Sequence, residues 1–192
     1  LTFSIWGIIY LLLAAYCVVQ FTGSNKEVIS DISWLFVISC ILNALWIVFW
    51  HYGRLPLSVI VMLGLLVTLI GINISIRELP FGIIKAAFGI YLGWICIATI
   101  ANVTALLVNA NWNGFNIPQE TWTIIMILIG TVLIGLTIYR LKNPFIGLAV
   151  IWAFIGIGIK RQDDYRSIFI TALIALSLVA LLTLWGFVRK TT

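Results

Sequence analysis

Charged side chains are scarce in this sequence, and they interrupt long apolar runs instead of lying inside them. Only 9% of the 192 residues are charged, whereas 63% are hydrophobic and the mean hydropathy is +1.19. A chain so short of charge has no soluble fold open to it. The acidic residues all lie between the runs or at their ends, so the buried acid that a proton-coupled transporter usually needs is not expected.

Other scarcities exclude further classes of function. The single histidine, His51, has no partner at metal-ligand spacing, and no Ser-His-acid set can be assembled within a membrane. Cys17, Cys40 and Cys96 fall inside apolar runs, which predicts buried free thiols and no disulfide framework. The basic residues occur singly at the ends of the runs, which does not fit a nucleic-acid surface. We therefore expect no catalytic residues, no metal site, no enzyme and no nucleic-acid partner.

The apolar runs predict the fold. A run of about 20 apolar residues crosses the roughly 30 Å hydrocarbon core as a helix, and continuous rather than alternating runs indicate helices instead of a barrel. The class is therefore all-α, a polytopic transmembrane helical bundle in one membrane domain over residues 1–192. The seven predicted spans are 5–22, 32–51, 56–76, 83–108, 122–139, 144–160 and 167–188.

The distribution of basic residues predicts the orientation. Alternate loops put seven on one side, namely Lys26, Arg77, Lys85, Arg140, Lys142, Arg189 and Lys190. The opposite side holds four, Arg54, Lys160, Arg161 and Arg166. The positive-inside rule then places the C-terminus in the cytoplasm and the N-terminus outside. The expected location is a bacterial inner membrane, and Lys85 is expected to extend its ammonium group to the cytoplasmic surface.

Aromatic and amide side chains recur at helical spacing on three spans. Trp6 and Tyr10 share a face of the first, and Asn43 and Trp50 share a face of the second. These groups fall in the outer half of the membrane, where aromatic walls with a few amides suit a flat apolar ligand with polar edges. Packing of the rings and hydrogen bonds from the amides to neighbouring helices explain the pattern equally well. The candidate ligand-binding residues are Trp6, Tyr10, Asn43, Trp46, Trp50, Tyr91, Trp94, Ala98 and Asn102.

The same positions resemble a family pattern. Trp6 and Tyr10 fit W-x-x-x-Y, the segment Leu42–Trp46 resembles L-N-x-x-W, and the segment Tyr91–Asn102 is similar to P-Y-x-x-W-x-x-x-A-T-x-L-N. These are motifs of the tryptophan-rich sensory protein family, also called the translocator protein family (TspO/MBR). The resemblance covers about residues 1–110. It leaves 111–192 as a three-helix C-terminal extension and leaves open an eighth helix upstream.

The resemblance implies a membrane sensor or carrier that binds tetrapyrroles, sterol-like lipids or related planar molecules between its helices. A porphyrin or haem-like molecule is the ligand it suggests, and membrane lipids are the expected surroundings. A homodimer is left open. The alternative function is a secondary transporter or permease for a small solute. Light-dependent porphyrin breakdown, proposed for some members of the family, has no support in this sequence.

Overall fold

The computed structural model describes residues 2–22 and 25–189, and helices account for most of them. Gly23 and Ser24, where the first predicted span gives way to a turn, and Lys190 lie outside the described residues. Short 3-10 turns cover Thr2–Ser4, Gln20–Thr22 and Gly114–Asn116. The α-helices are α1 Ile5–Val19, α2 Lys26–His51, α3 Leu55–Ser75, α4 Ile83–Asn109, α5 Gln119–Leu141, α6 Phe145–Arg161 and α7 Arg166–Arg189. The predicted all-α bundle is confirmed.

Length and composition allow six of these helices to cross a membrane, α1 together with the turn before it. The remaining helix, α6, has 17 residues, which is about 26 Å at 1.5 Å per residue. Only α1 is shorter, at 15 residues without the turn that precedes it. Large apolar side chains such as Leu11, Val67 and Leu181 are exposed on the outside of the bundle, as expected of a protein surrounded by lipid.

Local backbone chemistry places the turns between helices. Gly53 has a φ of 66° two residues after the end of α2. Pro56 occupies the first turn of α3, where its missing N–H costs no hydrogen bond. Lys142 takes the left-handed conformation at the end of α5, with a φ of 49°. Pro144 follows and stands immediately before α6. These residues fix short connections and hence an up-and-down bundle.

Small residues set the closest helix approaches. Gly64 and Gly71 of α3 lie opposite Leu42 and Leu35 of α2, so that an added Cβ would be 3.5 and 3.6 Å from those side chains. A Cβ on Gly93 of α4 would collide with a backbone carbonyl of α6. α4 is the central helix, because it packs against α1, α3 and α6. These glycines therefore allow tight packing of α3 on α2 and of α4 on α6.

The backbones of α1 and α2 stay apart within the described residues. α1 packs mainly against α4, whereas α2 packs mainly against α3. Side chains, not close backbone contact, therefore fill the interval between α1 and α2. That interval is where the predicted aromatic residues of the first two spans meet.

Two expectations about single residues are wrong. Lys85 does not extend to the surface: it is fully buried, and its ammonium group donates to the carbonyl oxygens of Arg77 at 2.7 Å and Lys142 at 3.0 Å. Those carbonyls come just after the ends of α3 and α5, where carbonyl groups lack helical partners, so a cation is stabilised there. The thiols of Cys17 and Cys40 are exposed on the outside of the bundle instead of buried.

Candidate ligand-binding site

Four aromatic rings form a continuous stack between α1 and α2. Trp6 lies 5.5 Å from Tyr10 and 5.8 Å from Trp46, with an interplanar angle of 26° in both pairs. Trp46 lies 6.3 Å from Trp50 at 32°. Tyr10 and Trp6 are one helical turn apart on α1, as Trp46 and Trp50 are on α2, so helical periodicity alone aligns each pair. The order through the stack is Tyr10, Trp6, Trp46, Trp50.

Two aromatic rings of α4 pack edge-on against one side of this stack. Tyr91 and Trp94 of α4 approach Trp6 in edge-on geometry, with centroids at 6.0 and 6.3 Å. Phe3, in the turn before α1, approaches Trp94 edge-on at 6.0 Å. Tyr91 and Trp94 are buried, whereas Tyr10 is 44% and Trp50 43% exposed at the two ends of the stack. We name these seven rings, Phe3, Trp6, Tyr10, Trp46, Trp50, Tyr91 and Trp94, the aromatic cluster.

Polar groups at the cluster are only partly satisfied. Asn43 donates from Nδ2 to the Tyr10 hydroxyl oxygen at 3.2 Å and so bridges α2 to α1. Its Oδ1 has no hydrogen-bond partner among the described residues, and neither has Nε1 of Trp46 or Nε1 of Trp94. All three atoms are buried. One acceptor and two donors are therefore without partners around the rings, where buried polar groups are normally satisfied.

Asn102 differs from the other predicted site residues, because its side chain bonds to α3 and not to the aromatic cluster. Asn102 is buried and exchanges hydrogen bonds with Ser58 of α3, donating from Nδ2 at 2.9 Å and accepting at 3.2 Å. Its amide thus joins two helices, which is the packing role left open by the sequence. Ala98 is half-buried one turn beyond Trp94.

Sequence reasoning missed Phe3 and Ser58. Phe3 lies three residues before Trp6, so extending the helical period beyond the first predicted span would have found it. Ser58 carries no such signal, because a lone serine in an apolar helix is common.

A second polar group of residues lies at the opposite end of the bundle. Asn143, just before α6, donates from Nδ2 to Oδ1 of Asn73 at 2.8 Å and to the Lys85 carbonyl at 3.0 Å. Asn73 in turn donates to the carbonyls of Leu69 and Phe88, both at 3.0 Å. Together with the ammonium contacts of Lys85, this network ties α3, α4 and the α5–α6 turn. Its members are bonded to one another, so it serves structure.

The rings of the aromatic cluster are in contact with one another. Two recesses of the described chain lie elsewhere. One, of about 200 Å³, lies between Val19, Asn25 and the segment 79–85, and the other, of about 280 Å³, is bordered by Thr2, Gly156, Ile159 and Lys160. A ligand at the cluster would therefore have to separate rings that are in contact here.

The bundle of apolar helices with lipid-facing surfaces defines an integral membrane protein. A family model described as "TSPO-like protein" matches residues 1–185, so the chain belongs to the TSPO-like protein family. The match extends past residue 110 through α5, α6 and most of α7, farther than the sequence motifs reach. Comparison with curated proteins and with solved structures gave no significant match.

Proposed function

We propose that this protein binds a flat, largely apolar ligand with polar edges between α1 and α2, as a membrane sensor or carrier. The observation that carries the proposal is the stack of Tyr10, Trp6, Trp46 and Trp50, in which successive ring planes are inclined by 26° to 32°. Parallel aromatic faces favour insertion of another π system in offset stacking. A tetrapyrrole such as a porphyrin or haem-like molecule meets this requirement better than a sterol, whose rings are saturated.

Insertion between Trp6 and Trp46 requires α1 and α2 to move apart. A flat ring needs about 3.5–4 Å of clearance on each face, or roughly 7–8 Å between the flanking planes. The centroid distance of 5.8 Å is an upper limit on the present spacing between the two ring planes, so the rings must separate by at least about 2 Å. Because α1 packs mainly on α4 and α2 on α3, these helices can separate with little loss of backbone packing.

The buried polar atoms without hydrogen-bond partners indicate which polar groups the ligand should carry. Nε1 of Trp46 and Nε1 of Trp94 can donate, and Oδ1 of Asn43 can accept. Each buried group without a partner costs about 1–3 kcal/mol, and a ligand that satisfied it would recover part of that cost. We therefore expect a ligand that carries both acceptors and a donor at its edge. The exposed ends of the stack, at Tyr10 and Trp50, favour entry from the lipid phase.

The test is a titration of the purified protein with protoporphyrin IX, followed by the shift of the porphyrin absorption band. Trp46→Leu should weaken binding about tenfold, since an aromatic pair is worth about 0.5–1.5 kcal/mol beyond its buried area. Trp34→Leu is the matched control, because Trp34 is also on α2 but is 77% exposed. Unchanged affinity in both Trp46→Leu and Trp6→Leu would refute the site.

The same preparation distinguishes binding from the alternatives. A carrier or sensor in liposomes should show saturable porphyrin binding without accumulation of solute in the lumen, whereas a permease would accumulate it. We propose binding without chemistry, so the porphyrin spectrum should be the same after illumination with wild type and with Trp94→Leu. Protein-dependent bleaching would establish an enzyme instead.

The proposed orientation places the C-terminus in the cytoplasm of a bacterial cell. It rests on the excess of basic residues at the end of the bundle that contains Lys142 and Arg189. Reporter fusions after Arg189 and within the α4–α5 loop should report opposite sides of the inner membrane.

A further inference from the structure

An aromatic and cationic ladder lies on the outside of the bundle, away from the aromatic cluster. The rings of Tyr139 on α5 and Trp185 on α7 are stacked at 6.3 Å with an angle of 17°. The Arg189 guanidinium lies over the Trp185 ring, 4.8 Å from its centroid. Tyr139 is 57% and Trp185 46% exposed. Because both helices end within one turn of these residues, the ladder marks the level at which the apolar surface meets the headgroups.

We propose that this ladder, together with Arg140, binds the phosphate headgroup of an anionic phospholipid. The contact with Trp185 restricts the Arg189 guanidinium, whose N–H donors lie in its own plane and can match two phosphate oxygens. Arg140 lies in the last turn of α5, is exposed, and forms no ion pair with any acid of residues 2–22 and 25–189. Two arginines on neighbouring helix ends thus supply charge complementary to one headgroup.

The surface next to the ladder suits an acyl chain. Leu136 and Val132 lie three and seven residues before Tyr139 and are exposed on the same face of α5. Leu181 and Leu178 lie four and seven residues before Trp185 and are exposed on α7. Seven residues extend about 10 Å along a helix. Apolar contact therefore continues from the arginines toward the membrane centre, in the direction that a phospholipid tail takes.

The opposite end of the bundle shows why this pair is selective and not merely an interfacial anchor. Arg161 also lies over an aromatic ring, that of Tyr165, with its guanidinium carbon 5.2 Å from the ring centroid. No second ring is recorded stacked against Tyr165 in the described part of the chain, and Asp163 and Asp164 occupy the intervening turn. Those carboxylates repel a phosphate. Arg161 therefore provides a control in which an arginine lies over a single aromatic ring with two carboxylates close by in the sequence.

The test is native mass spectrometry of the protein taken from mixed micelles of phosphatidylglycerol and phosphatidylcholine in equal amounts. Wild type should retain phosphatidylglycerol in preference. Each arginine near an anionic surface contributes roughly a fivefold effect, so the double variant Arg140→Gln/Arg189→Gln should lose about 25-fold in this preference. Arg161→Gln should retain it. Trp185→Leu should weaken it although both arginines remain, because the guanidinium then loses its platform.

Three results would overturn the proposal. These are no preference in wild type, an equal loss in Arg161→Gln, or full retention in a double Arg→Lys variant, since charge without the planar fork would then suffice. Circular dichroism confirms that each variant is helical before it is compared. Porphyrin affinity should be unaffected by these changes, because the ladder lies on α5 and α7 and the aromatic cluster lies on α1, α2 and α4 with the turn before α1. Rejection of the lipid site would therefore not bear on the proposed porphyrin site, and the reverse also holds.

Discussion

The side chain of Asn143 donates a hydrogen bond of 2.8 Å to Oδ1 of Asn73, which joins the start of α6 to the last turn of α3. Both side chains are fully buried. Asn143 also accepts from the backbone N–H of Phe145 at 3.2 Å, so its amide serves the α5–α6 turn as well. In a lipid-surrounded bundle such pairs hold helices that have little hydrophobic drive to associate.

Asn143→Ala should therefore destabilise the fold. It removes the donor to Asn73 and leaves that carboxamide oxygen buried without a partner, which costs about 1–3 kcal/mol. Thermal unfolding in detergent, followed by circular dichroism, measures the change. Asn109→Ala is the control, because Asn109 is exposed at the end of α4. Equal unfolding midpoints for the two variants would contradict a stabilising role for the network.

The crossing of α4 over α6 predicts a strong difference between two glycines. A Cβ at Gly93 would collide with the carbonyl oxygen of Ile146, a backbone atom that cannot turn away. Gly93→Ala should then lower the free energy of unfolding by about 1–3 kcal/mol. A Cβ at Gly7 would meet nothing within 4 Å, so Gly7→Ala should be neutral or stabilising by up to about 1 kcal/mol. A comparable loss of stability in both variants would show that α4 and α6 are not in close backbone contact at Gly93.

Sequence pattern was sufficient for the helices and for most of the aromatic cluster. The apolar runs predicted seven helices because, in lipid, nearly every residue of a span must be apolar. Trp6 with Tyr10, and Trp46 with Trp50, followed from spacing, since residues four apart share a helix face. Ring-to-ring contact between different helices did not follow from spacing, and it needed the fold.

The hydrogen-bonded polar pairs also could not be predicted, because they too join different helices. Lys85 was expected at the surface because long basic side chains usually reach headgroups, but carbonyls at two helix ends coordinate it inside. Asn143 lies in a turn, and its partner Asn73 is 70 positions away in the sequence. Asn102 carried a family motif, yet its partner is Ser58. Helical periodicity contains no information about such long-range partners.

The Ser58–Asn102 pair gives a prediction that separates packing from ligand binding. Ser58→Ala removes both hydrogen bonds between α3 and α4 and leaves the Asn102 amide buried and unsatisfied, so stability should fall by about 1–3 kcal/mol. Porphyrin affinity should stay within about twofold of wild type, since no pairwise interaction beyond about 0.5 kcal/mol is expected between independent sites. A tenfold loss of affinity in a folded Ser58→Ala variant would instead place Asn102 at the ligand.

Stability at acidic pH should depend on Glu78, which lies in the loop between α3 and α4. Hydrogen bonds from Lys142 at 2.7 Å and from Arg77 at 3.0 Å lower the pKa of its carboxyl group from 4.5 to about 2. Because the folded pKa is depressed, the stabilisation is complete above about pH 4.5 and is lost as the pH falls toward 2. Wild type should unfold at a higher temperature than Glu78→Gln at pH 6.

That difference should disappear near pH 2 and shrink in high salt, because all three side chains are exposed. A difference that persists at pH 2 would mean that the charge of Glu78 is not its cause.

The turn before α1 is held beside the aromatic cluster by α6, which links the C-terminal helices to the proposed ligand site. Nε1 of Trp152 donates to the carbonyl of Thr2 at 2.9 Å, and the neighbouring Phe3 rests against Trp94. Trp152→Phe keeps a ring but removes the donor. A hydrogen bond of this kind contributes about 1 kcal/mol, so amide hydrogen exchange over residues 3–6 should become about fivefold faster.

Porphyrin should then associate and dissociate faster with a smaller change in affinity, because the turn restricts access more than it contacts the proposed site between Trp6 and Trp46. Trp122→Phe is the matched control, since it removes an equivalent bond, from Nε1 to the Gly114 carbonyl at 2.8 Å, in the α4–α5 loop. If both variants exchange and bind alike, α6 does not restrain the turn. If only Trp152→Phe changes the rates, the C-terminal helices control access to a site built by the N-terminal ones.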